Sequence, residues 1–350
     1  MPAISVIVPV RNEAKTISAC LRSLLSQTIP PSEYEIIVVN GMSDDASMAT
    51  VLDLQTKWPN LMVLQNPFRI MPAGMNIGLR HARSPIVMVA GAHTSYPSHY
   101  LETSLKYLDK TGADVVGGPL LTAARGNGFA PKMIAAILSS RFGVGNAAFR
   151  TGLKEGWVDT VPYGAYRKEV FDHCGLYDED LVRAQDAELH ARILNRDRRI
   201  YQTPELATYY HPVSTFQALW GKAFLDGQWQ YLAATKNPQS LALRRFAPVF
   251  MVLLLAGLGL TTIFFPAAWM LIAAVMLLYL LTGFYFGSTQ TTITNIPARI
   301  LLPFFAFSFH VCYGMGTLAG MVAHIAQTSP AKATRYHGPA PTRRAAQSDK

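Results

Sequence analysis

"ISVIVPVRNEAKTISACLRSLLSQ", residues 4–27, changes its periodicity halfway. The first seven residues are a run of apolar, mostly β-branched types, the pattern of a strand buried on both faces. From Ile17 onward the apolar residues fall at Ile17, Cys20, Leu21, Leu24 and Leu25, one face of a helix. The helix is read over 12–27, with Asn12 as its N-cap. A strand that feeds straight into a helix is the building unit of a parallel sheet with helical crossovers.

The same unit repeats outward. "YEIIVVNG" (34–41), "LMVLQN" (61–66), "PIVMVAGA" (85–92) and "ADVVGGP" (113–119) read as strands, and "PAGMNIGLRHA" (72–82) as a helix. The alternation predicts an α/β fold with right-handed crossovers and a mostly parallel, Rossmann-like sheet. In such sheets ligands bind beyond the carboxyl ends of the strands, where Asn40 and His93 stand. Residues 121–155 read as a loop, a helix and a Gly-rich loop. Residues 157–210 return to mixed structure, with a clear helix in "DAELHARILNR" (186–196). Residues 214–235 form an aromatic-rich amphipathic helix with Phe216, Leu219, Trp220, Phe224, Trp229 and Tyr231.

After residue 245 the composition changes. Stretches 246–265, 267–286 and 300–322 are apolar, each near the ~20 residues that cross a bilayer. The tail 329–350 is basic and rich in Pro and Ala, the composition of a disordered segment. The predicted division is therefore 1–235, a catalytic-type domain ending in the amphipathic helix, 246–325, a membrane region, and the tail.

Of the 350 residues half are hydrophobic and 15% charged, with a net charge of +9. No basic patch interleaved with aromatics is present, so nucleic acid is not the expected partner; positive charge beside a membrane is. Cys20, Cys174 and Cys312 are too far apart for a metal motif or a disulfide framework, which fits a reducing compartment. The opening "MPAISVIVPV" reads as a strand rather than a signal peptide.

Six segments in order, "SVIVPVRNEAKTISACLRSLLSQ", "EIIVVNGMSDDAS", "NIGLRHA", the strand before Gly91, "VPYGAYRKEVFDHCGLYDEDL" and "QDAELHAR", resemble family 2 glycosyltransferases. "DVVGGP", "VDTVPYGAYRKEVF" and "APVFMVLLLAG" resemble its membrane-associated branch of succinoglycan and exopolysaccharide synthesis. The resemblance spans residues 4–325. It implies a GT-A fold followed by transmembrane helices, and inverting transfer of a sugar from a nucleotide-diphosphate sugar, UDP-linked by first expectation. The implied acceptor is lipid-linked saccharide or polysaccharide at the inner face of a bacterial cytoplasmic membrane.

Such a transfer needs a base on the acceptor hydroxyl and stabilisation of the departing diphosphate. The resemblance puts the base at Asp186, preceded by Gln185 where the family has Glu. It assigns the nucleotide-sugar site to Pro9, Asn40, Asp45, Arg69 and Gly91. Asn40 replaces a family Asp; it either still accepts a hydrogen bond from the base or closes a local Asx turn. The metal-binding D-x-D falls on Gly91-Ala92-His93. His93 is the implied ligand of a divalent cation, Mn2+ or Mg2+, and imidazole favours Mn2+; a polar strand-end residue is the plainer reading. Arg69 and Arg80 are placed on one face, as phosphate partners or as solvated surface. Trp220 and Trp229 are read as membrane-surface anchors. Three altered positions, Asn40, Gly91 and Gln185, leave open a second reading, a non-catalytic relative that serves as a binding partner in polysaccharide assembly.

Arg244 and Arg245 mark the side before the first apolar segment as cytoplasmic. Three complete spans would leave Lys332, Arg335, Arg343 and Arg344 outside, so the third segment, with Pro303 and His310, is expected to be re-entrant or interfacial. Its Gly316 and Gly320 are spaced for close helix packing.

Overall fold

In the computed structural model, residues 1–152, 154–238, 245–289 and 296–326 are described. The chain opens as β1 (Ile4–Val10), α1 (Ile17–Leu25), β2 (Tyr34–Asn40), α2 (Ser47–Gln55), β3 (Leu61–Gln65), α3 (Met71–His81), β4 (Ile86–Val89) and α4 (Tyr100–Thr111). The first four strands are parallel, in the order β3-β2-β1-β4. Val6, Val8 and Val10 face a core shared with α1, α2 and α4, while Ile7 faces the opposite core with Met75 and Leu79 of α3. Both faces are covered, which is why these strands read as continuous apolar runs.

The second half is mixed. It comprises β5 (Val115–Gly117), β6 (Leu120–Thr122), α5 (Phe129–Ser139), α6 (Arg141–Val144), α7 (Ala148–Thr151), β7 (Gly156–Val158), β8 (Ala165–Arg167), α8 (Glu169–Cys174), α9 (Gln185–Leu194), β9 (Ile200–Gln202) and β10 (Thr208–Tyr210). β8 enters antiparallel between β4 and β5, and β7 closes the edge antiparallel to β9. β6 and β10 form a separate parallel pair.

One local expectation fails. Helix α1 starts at Ile17 behind Thr16, not behind Asn12. Asn12 takes a positive φ of 56° and its Oδ1 accepts from the Asp44 amide at 3.0 Å. The residue ties two loops together instead of capping a helix.

The C-terminal part consists of α10 (Phe216–Lys236), α11 (Ala247–Phe264), α12 (Trp269–Thr289) and α13 (Ile296–Ile325). Three stretches, Ala247–Phe264, Pro266–Thr289 and Arg299–Ile325, are long and apolar enough to cross a membrane. They differ in packing. The first two are almost wholly exposed, with Leu260, Phe264, Leu271, Leu278 and Tyr285 facing outward. The third is covered along one side, because α10 runs parallel to it: Phe216 stacks on Phe305, Trp220 Nε1 donates to Ser308 Oγ at 3.0 Å, and Tyr231 meets His324. A Cβ at Gly316 would strike the Phe224 carbonyl, and one at Gly320 the Gln228 backbone. The small pair does allow close packing, against α10. His310 reaches the catalytic half, its Nε2 3.0 Å from the Gly143 carbonyl.

Trp229 is not a surface anchor. It is 4% exposed and packs on Leu181 and Ala233. Helix α10 thereby braces the loop ahead of α9, helped by Lys236 to Asp178 and Asp180 and by Arg183 to Asp226. Arg244 and the tail 329–350, with Lys332, Arg335, Arg343 and Arg344, lie outside the described residues.

Candidate active site

A pocket opens at the carboxyl end of β4. Val89, Ala90 and Gly91 form one wall, Met71 and Met75 of α3 another, and Tyr163, Gly164, Tyr166, Tyr177 and Asp186 the rest. Asp186 is the second residue of α9, delivered by Ala184 in a left-handed turn (φ 60°). Its carboxyl finds no hydrogen-bond partner among the described residues, and burial alone pushes its pKa up to about 6. A base with a pKa near neutrality is well matched to accepting a proton. The loop that leads to it is fixed by Asn76, whose side chain bonds the Tyr177 amide at 3.0 Å, the Tyr177 carbonyl at 2.9 Å and Glu179 at 2.8 Å. One turn along α9, His190 is wedged between Thr160 (2.7 Å) and Tyr166 (2.9 Å). Burial holds it neutral, with a pKa lowered to about 3.

The loops after β1 and β2 form the other end of the site. Asn40 Oδ1 accepts from the Ser43 amide at 2.9 Å, and its Nδ2 donates to Gln65 at 2.9 Å. The turn-closing reading of Asn40 is realised. Asp45 accepts from the amides of Ala14 (3.0 Å) and Ser47 (2.9 Å), and bonding to Ser47, first by its side chain, holds its carboxyl below the usual range. Pro9 lies in β1 opposite Val39. Arg69 takes a positive φ of 60°, and its carbonyl accepts from Arg11 at 3.0 Å. Arg80 is not beside it. It stands at the far end of α3 from Met71, on the order of 13 Å along the axis at ~1.5 Å per residue.

His93 is exposed, its Nδ1 3.6 Å from Glu13 Oε1. The imidazole, chiefly, keeps the Glu13 carboxyl below its ordinary value. Among the described residues no group of three or more His, Cys, Asp or Glu is placed to hold a metal ion. The pair offers two donors, so a cation there would need phosphate oxygens to complete its shell.

Gly91 has a structural cause. A Cβ there would lie 2.6 Å from Cε1 of Tyr163, inside the ring's contact distance. The phenol thus fills the space of a side chain at 91, so a larger residue there must displace the Tyr163 ring. Sequence reasoning missed Tyr163, Asn76, His190 and Glu13. Tyr163 stood inside the quoted "VPYGAYRKEVF", but nothing along the chain shows that its ring turns to residue 91.

This combination, a strand-end pocket with a free carboxyl opening a helix on a mixed, mostly parallel sheet, is that of a GT-A sugar-transferring domain. The profile of the glycosyl transferase family 2 matches residues 5–175, so this segment is a domain of that family and the chain is a glycosyltransferase. It is 28% identical over 248 residues to the succinoglycan biosynthesis protein ExoA of Rhizobium meliloti, covering 70% of this chain and 74% of the relative. It is 25% identical over 331 residues, 92% of this chain and 98% of the relative, to a Methanococcus voltae protein named as a dolichyl N-acetylglucosaminyl phosphate diacetamidodideoxyglucuronosyltransferase. In fold it is similar to the mannosyltransferase PcManGT of Pyrobaculum calidifontis, solved with GDP-Man and Mn2+, with a TM-score of 0.60, 19% identity, and 89% and 87% of the two chains covered.

Proposed function

We propose that the enzyme transfers a sugar, with inversion, from a nucleotide-diphosphate sugar to a lipid-linked or polysaccharide acceptor at the inner face of a bacterial cytoplasmic membrane. The observation that carries this reading is the unpaired Asp186 carboxyl lining the pocket, with its pKa raised to about 6. Asp186 takes the proton of the acceptor hydroxyl. That oxygen bonds the anomeric carbon from one side while the bond to the diphosphate breaks on the other. The reacting end of the donor is assigned to the pocket that Asp186 lines with Tyr163, Tyr166 and Tyr177. The nucleotide then lies over the loops of Asn40 and Asp45, flanked by Pro9, Arg69 and Gly91. A divalent cation, Mn2+ in preference to Mg2+, would be held by His93 with Glu13 and by the diphosphate, whose charge it would neutralise.

The lipid-linked acceptor draws support from the dolichyl phosphate-linked substrate in the name of the Methanococcus relative. The membrane side draws support from packing. Helices α11 and α12, exposed and joined at Pro266, act as a hairpin of two spans. Helix α13 lies along α10, which carries the Lys222–Asp226 ion pair. Charges of that kind favour the interface over hydrocarbon, so α13 runs in the interface and the tail stays cytoplasmic. Reporter fusions at residues 238 and 326 should both read cytoplasmic; an outward reading at 326 would make α13 a true span.

The activity test is transfer of labelled sugar from a panel of nucleotide-sugars, UDP-linked first, to a membrane lipid extract. Labelled lipid is the expected product. Absence of product with every donor, from protein that binds nucleotide, would favour the non-catalytic reading.

A further inference from the structure

Arg150 belongs to α7, in the Gly-rich segment between α6 and β7. Its guanidinium lies between two rings, with Cζ 5.3 Å from the centre of Phe149 and 5.2 Å from that of Tyr210. Its Nη1 is buried and has no hydrogen-bond partner among the described residues. Asp226 is the carboxylate whose charge it feels, and Asp226 is already engaged: Oδ1 by Arg183 at 3.1 Å and Oδ2 by Lys222 at 2.6 Å. Arg150 therefore has no carboxylate of its own among the described residues. Burial lowers the Arg150 pKa, but a guanidinium stays charged. A buried, unpaired charge is costly unless an anion comes to it.

The place of this cluster is as telling as its charge. On one side lies the pocket: Tyr163, which lines it with Asp186, feels both the Asp186 and Arg150 charges. Arg183 is three residues before Asp186. On the other side α7 packs on α5, whose Met133, Ile134 and Ile137 share a core with Leu302 and Phe309 of α13. The cluster thus sits between the reacting end of the site and the apolar helices.

We infer that Arg150 binds the phosphate of the acceptor lipid. This rests on the lipid-linked acceptor proposed above and adds a site to it. Arg150 offers a flat fork of donors suited to phosphate oxygens. The rings of Phe149 and Tyr210 hold that fork in place before the lipid arrives, which reduces the ordering cost of binding. A phosphate is also present in the donor, so the test must separate the two sources.

The experiment uses the full chain in nanodiscs of neutral lipid and measures equilibrium binding of three probes: a polyprenyl monophosphate, the uncharged polyprenol, and UDP. The wild type should bind the phosphate lipid more tightly than the alcohol. Arg150→Met should weaken the phosphate lipid roughly 10- to 100-fold, the worth of a lost charge-assisted hydrogen bond, and leave polyprenol and UDP unchanged. Arg150→Lys, which keeps the charge without the fork, should fall between and serves if the Met variant does not fold. A loss of UDP affinity with lipid binding intact would overturn the proposal and give Arg150 to the donor. Unchanged binding of all probes would also overturn it and leave the guanidinium a stacking role. Binding needs no turnover, so a chain that transfers no sugar would still report on Arg150, and that failure would count against the proposed activity alone.

Discussion

The two ends of the site use their polar groups in opposite ways. At the end proposed for the nucleotide, Asn12, Asn40, Ser43, Asp45 and Ser47 bond one another and the backbone of adjoining loops. At the end proposed for the acceptor, Asp186 has no hydrogen-bond partner among the described residues, and the Arg150 Nη1 and Tyr177 hydroxyl are buried without one there. Buried polar groups are normally satisfied, so an orphan calls for an explanation. At the nucleotide end the motif residues build the cradle. At the acceptor end they are left for what arrives.

Substitutions on the two sides should therefore fail differently. The largest effect is expected from Asp186→Asn: sugar transfer should fall ~10²–10⁴-fold, the usual worth of general base catalysis, while nucleotide affinity is unchanged. Equal loss of both, measured by transfer rate and by titration, would mean that Asp186 organises the cradle instead. Next comes Gly91→Asp, which restores the carboxylate that the resemblance leads one to expect. The new side chain meets the Tyr163 ring, and overpacking of this kind costs ~1–3 kcal/mol. Thermal melting should show the loss, and Tyr163→Ala in the same chain should recover part of it. A Gly91→Asp protein as stable as wild type would break the steric account. The smallest effect is expected from Asn40→Ala. It removes two internal hydrogen bonds, about 0.5–1.5 kcal/mol each, and should shift stability more than nucleotide affinity. A large loss of affinity at unchanged stability would return Asn40 to base recognition.

The sequence was most legible where physics is local. The switch in period at residue 11 yields β1 and α1, and the same reading finds β2, β3, α3 and β4 within a few residues. Apolar length finds α11, α12 and α13. Legibility fails where a residue's role depends on a distant partner. Nothing in "RNEAK" shows that Asn12 would turn away to Asp44. Trp229 has the composition of a membrane anchor, yet Leu181, far away along the chain, buries it. Gly91 looks like a lost ligand until Tyr163 is seen in its place. Asp186 is proposed as the base from the order of motifs, but the property that supports the proposal, isolation in a low-dielectric pocket, exists only in three dimensions.

That property leads to the most direct test. If Asp186 must be ionised to accept the acceptor proton, activity is present above its folded pKa and is lost as pH falls through it. The dependence of the transfer rate on pH, at saturating donor and acceptor, should rise about tenfold per pH unit on the acid side and level off with an apparent pKa near the value of about 6 set by burial. A rate that stays flat down to the ordinary Asp range, ~4, would contradict the account.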